Sequence, residues 1–95
     1  MSVTGEFRRL VSDCIAFLDG STAAGAEQRA DALRAAVALA ANDLTEAAQR
    51  MLALAEGGRR HTAIEFASPA EQDEFEQLWG HALAITRVIL GGPEA

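Results

Sequence analysis

A chain of 95 residues with a net charge of −6 has room for one domain and a small core, because folding at this size buries roughly 60–65% of the unfolded chain's surface. The acidic balance opposes a phosphate backbone or an anionic bilayer as the main partner, which argues against nucleic-acid and membrane-surface functions and leaves a basic protein partner compatible. The hydrophobic fraction is 49%, but it is rich in alanine and includes one Trp, four Phe and no Tyr, so few large side chains are available to fill a core.

The first element is expected at residues 6–19. Phe7, Leu10, Val11, Cys14, Ile15, Phe17 and Leu18 share one arc at about 100° per residue. Thr4 is the expected N-cap, and Glu6 lies in the first turn, where it favours the helix dipole. Residues 1–4 and 92–95 are expected to be flexible ends. Gly20 to Gly25 reads as a turn. Glu6 and Asp13 interrupt what would have to be an apolar stretch in a secretory signal. The longest apolar run, Ala35 to Ala41, is far shorter than the roughly 20 residues that cross a bilayer.

Two interleaved seven-residue series run through residues 26–56 without a phase slip. One is Ala26, Leu33, Ala40, Ala47 and Leu54; the other is Ala30, Val37, Leu44 and Met51. This pattern predicts one long helix with a coherent apolar seam, ending at Gly57-Gly58. The alternative breaks it near Asn42-Asp43, where Asp43-Leu44-Thr45-Glu46 matches a capping box, and gives four to five shorter helices. Beyond it, Ile64 and Phe66 anchor a loop. Ser68-Pro69-Ala70-Glu71 starts a last helix over 69–90, with Ser at the N-cap, Pro at N1 and Glu at N3. Phe75, Leu78, Trp79, Ala82, Leu83, Ile85, Thr86, Ile89 and Leu90 form its buried arc, Trp79 is its expected core anchor, and Gly80 is a weak point in its interior. The expected fold is therefore all-α, an antiparallel three-helix bundle with a long central helix.

Chemistry-bearing residues are sparse. The only cysteine, Cys14, lies on an apolar arc, which makes it a core residue rather than a nucleophile, and without a disulfide partner it suits a reducing, cytoplasmic setting. His61 follows Arg59 and Arg60 just past the long helix, where positive charge complements a helix C-terminus. A metal site joining His61 and Glu65 with His81 or Glu74 would require helix where the local pattern has none. Arg29 and Arg34 flank the seam, and Arg50 follows Glu46 by four residues in the favourable order. There is no glycine-rich phosphate loop, so no cofactor is expected and the chain reads as a non-enzyme.

Two surfaces remain as candidates. Glu71, Asp73, Glu74 and Glu76 contain no intervening base and form a candidate acidic docking face for a basic partner, as in an antitoxin or immunity-type inhibitor. The long helix outruns the first by about 28 Å, which leaves Leu44, Met51, Leu52 and Leu54 as a candidate interface for a homodimer. The leading expectation is a helical protein-protein interaction or self-association module such as an adaptor, assembly factor or regulator. An enzymatic or metal-binding bundle assembled from two chains is the third possibility.

Overall fold

A computed structural model describes residues 2–56 and 66–91, of which 81% are helical, with no strand among them. The four helices are α1 (Val3–Asp19), α2 (Ala26–Ala40), α3 (Leu44–Glu56) and α4 (Pro69–Ile89). Each packs against the next in chain order, and α4 returns to α1.

α1 begins earlier than its apolar arc alone predicts. Ser2, not Thr4, is the N-cap, and its Oγ accepts from the Gly5 N–H at 3.0 Å. Residues 2–4, expected to be flexible, are therefore tied into the helix start. The following turn ends at Gly25, whose φ of 89° is a left-handed conformation that a side chain would strain.

The stretch expected as one rod is divided. The chain turns at Ala41-Asn42-Asp43, and the Asp43 Oδ1 accepts from the Glu46 N–H at 3.1 Å, capping α3. The Asp43 N–H donates to the Leu39 carbonyl at 2.8 Å, so the turn satisfies its own backbone. This is the break marked by the capping box, and its physical reason is that a carboxylate at the N-cap and seven-residue burial are compatible. Ala32 and Ala35 line one groove with Arg50, Ala53 and Leu54, a pairing that makes α2 and α3 an antiparallel hairpin. The seam thereby closes on itself: Ala26, Ala30, Leu33, Ala40, Ala47 and Met51 are all buried, while Val37, Leu44 and Leu54 are half-buried at its margins.

Ser68 and Pro69 start α4 as expected, with Ser68 Oγ accepting from the Glu71 N–H at 3.2 Å. The Glu71 carboxylate turns back to accept from the Ala67 N–H at 3.3 Å.

The core joins Phe7, Val11, Cys14 and Leu18 of α1 to the seam and to Phe75 and Ala82 of α4. Burying each large apolar side chain contributes roughly 1.5–3 kcal/mol. The buried Thr86 hydroxyl donates to the Ala82 carbonyl at 2.7 Å, which removes the cost of burying it. Phe17, Phe66, Phe75 and Trp79 form a chain of ring contacts with centroids 5.4–6.1 Å apart. Trp79 is half-buried at its edge, so Phe75, not Trp79, is the deep aromatic anchor of α4. No helix among the described residues is long and apolar enough to cross a membrane.

Candidate functional site

Antiparallel packing of α4 on α1 leaves a groove of about 370 Å³ lined by Glu6, Arg9 and Leu10 of α1 and by His81, Ala84, Ile85 and Val88 of α4. Leu10 and Ile85 are half-buried and form its apolar floor. Val88, on the wall, is 51% exposed, and Val3 is 44% exposed; these are the exposed large hydrophobic residues among the described ones. Val3 is seven residues before Leu10, so it continues the same edge of α1. The rim is held by Arg9, which pairs with Glu6 at 2.5 Å and Asp13 at 3.6 Å. The hydrogen bond and charge of Glu6 raise the guanidinium pKa above its ordinary value.

A second, smaller groove of about 250 Å³ lies between α2 and α3, lined by Ala32, Ala35, Arg50, Ala53 and Leu54. Here alanines leave the helix surfaces low. Arg50 reaches Glu46 at 3.9 Å, the ion pair that their spacing predicts.

A third cleft, at the α1–α2 turn, is lined largely by polar residues including Asp19, Ser21, Thr22, Glu27, Asp31 and Arg34. Arg34 binds Asp19 across the turn and Asp31 at 3.0 Å within α2, so two of its three carboxylates are already paired. Among the described residues no group of three His, Cys, Asp or Glu side chains is placed to hold a metal. His61 and Glu65 of the considered metal set lie outside the described residues, as do Arg59, Arg60 and Ile64.

The candidate interface on α3 is dispersed. Met51 has no exposed surface and belongs to the core, whereas Leu44, Leu52 and Leu54 are half-buried. Met51 is unavailable to a second chain because the hairpin turn brings it inside, a consequence of the break at 41–43.

The acidic quartet does not form one face either. At 100° per residue, Glu71 and Glu74 lie about 60° apart, as do Asp73 and Glu76, but the two pairs point to different sides of α4. Glu71 is engaged in the cap, and Glu76 accepts from the Gln72 amide at 3.1 Å. Glu74 alone shares an edge with His81 and Val88, through seven-residue spacing.

Cys14 is fully buried, and burial pushes its thiol up to about 11, so at neutral pH it is a protonated, unreactive core group. Arg29 lies over the Trp79 ring at 5.5 Å from its centroid, and burial lowers its pKa. This cation–π contact ties the start of α2 to α4. The sequence places Arg29 beside the seam and Trp79 in the buried arc of the last helix but gives no signal that they meet. No family model matches this chain, and comparisons with curated proteins and with solved structures find no match.

Proposed function

We propose that the protein is a non-enzymatic helical module that docks another protein along the α1–α4 groove. The observation that carries this reading is Val88, 51% exposed on the wall of a groove floored by Leu10 and Ile85, with Val3, 44% exposed, one heptad before Leu10 on α1. Two helices with an apolar furrow between them are the usual receptor for a third helix. Elsewhere the large apolar side chains of the described residues are buried or half-buried, so a helix docked here would remove exposed aliphatic surface from water. The lone buried Cys14 and the acidic charge are in keeping with work in a reducing cytoplasm.

The test is capture from native cell extract by the wild-type chain and by Val88→Asp, with bound proteins identified by mass spectrometry. A protein held by the wild type and lost from the variant is expected. Identical captures by both chains would overturn the reading.

Self-association is a second reading, favoured by the groove over Leu54 on the α2–α3 face. Ala32, Ala35 and Ala53 would permit close approach of a second copy's helix, with Leu52 and Leu54 beside it. Light scattering should then give a mass near twice 10.0 kDa, which Leu54→Glu should halve. A mass of 10.0 kDa at every concentration would remove this reading.

A further inference from the structure

We propose that the occupant of the α1–α4 groove is a basic amphipathic helix of a second protein, a proposal that rests on the docking reading above and specifies the partner's chemistry. The groove is graded along its length. At one end are Val3, Leu10, Ile85 and Val88, a surface for aliphatic side chains, where the Glu6 carboxylate is already paired with Arg9. Toward the other end the edges become acidic. Asp13 is seven residues beyond Glu6 on α1, and Glu74 seven before His81 on α4, so each carboxylate continues an edge that lines the groove. Both are exposed.

Charge decides between occupants. Along these edges three carboxylates, Glu6, Asp13 and Glu74, stand against one guanidinium, Arg9. That excess lies on a chain of net charge −6, so the near field and the long-range field both attract cations. A second copy would bring the same sign of charge to the same groove and be repelled, as would an acidic helix. The fitting partner presents aliphatic residues at helical spacing to Leu10, Ile85 and Val88, and Arg or Lys to Asp13 and Glu74. This fixes its direction: the cationic end lies over the start of α4. From Glu74 to Val88 the edge is about 21 Å long, so a helix of about 18 residues covers it.

The probe is a synthetic peptide of that length with Leu on one face and Lys elsewhere, measured by fluorescence anisotropy at low salt. Two control peptides carry Glu in place of Lys, or Ser in place of Leu. The full chain is compared with Val88→Gln, which removes an exposed aliphatic group without adding charge, and with Glu74→Gln; circular dichroism checks that both variants are folded. The Leu/Lys peptide should bind, about tenfold more weakly to Val88→Gln and about threefold more weakly to Glu74→Gln, and the Leu/Glu peptide should not bind.

If the Leu/Glu peptide binds as tightly, with the same loss in Val88→Gln, the basic partner is overturned while helix docking stands. If no peptide senses Val88→Gln, or the Ser/Lys peptide binds as well as the Leu/Lys one, the groove is not a helix receptor and both readings fall. A dimer that Val88→Gln dissociates would make a second copy the occupant and likewise overturn the proposal.

Discussion

The two helix pairs of this protein are packed from different materials. The α1–α4 side is built on large groups, Phe7, Val11 and Leu18 with Phe17, Phe66, Phe75 and Trp79 in ring contact. The α2–α3 hairpin is built largely on small ones, with Ala30, Ala36, Ala40, Ala47 and Ala48 buried around Leu33 and Met51. Large side chains contribute much transfer free energy each and leave cavities when removed. Alanines contribute little each but let helices approach closely, so that pair is intolerant of added volume. The surfaces differ as well. On the α2–α3 side the seam is buried on alanines, while between α1 and α4 a furrow remains over Leu10 and Ile85.

Deleting an aromatic anchor should have the largest effect on the α1–α4 side. Phe75→Ala, at a site 6% exposed and in contact with three other rings, should cost about 3–5 kcal/mol in urea unfolding and disorganise the α1–α4 side. A loss below 1 kcal/mol would show that the ring cluster is not what holds these helices.

The reverse substitution tests the hairpin. Ala47 has no exposed surface, so Ala47→Leu should destabilise by about 1–3 kcal/mol through overpacking. Increased stability would mean that the alanine interface holds unfilled space.

Asp43→Ala should cost about 1 kcal/mol, because it removes the acceptor that caps α3. Thermal unfolding unchanged by this substitution would argue that the turn does not depend on the cap.

How far the sequence discloses this fold can be judged at that turn. The seven-residue series correctly mark Ala26, Ala30, Leu33, Ala40, Ala47 and Met51 for burial, but periodicity reports which side chains leave water and not what buries them. A straight rod against neighbours and a hairpin closed on itself satisfy the same series. The deciding signal was local, Asp43 three residues before Glu46, and it competed with an unbroken phase. Ser68-Pro69-Ala70-Glu71 had no competitor, and the start of α4 was legible. The α1–α4 groove was not, because its edges are assembled from residues such as Glu6, Val3 and Val88 that lie some eighty positions apart or look like ordinary surface within their own helix. Likewise, four acids in six residues read as one face until helical angles separate them.

The smallest expected effect has the opposite sign. A Cβ at Gly80 would meet nothing within 4 Å, so Gly80→Ala should stabilise by about 0.5–1 kcal/mol through helix propensity alone. Destabilisation would mean that the exposed face of α4 has a constraint not evident in its packing.

Residues 26–56 fold back at Ala41-Asn42-Asp43, which closes the seam and leaves the exposed Val88 to the α1–α4 groove. Spin labels at Gln28 and Ala53, both exposed, report on it directly through their dipolar coupling. An antiparallel hairpin with helix axes 8–10 Å apart keeps the labels within about 25 Å, which is the predicted result; a continuous helix would separate their backbones by about 37 Å, and a single population at that distance would contradict the account.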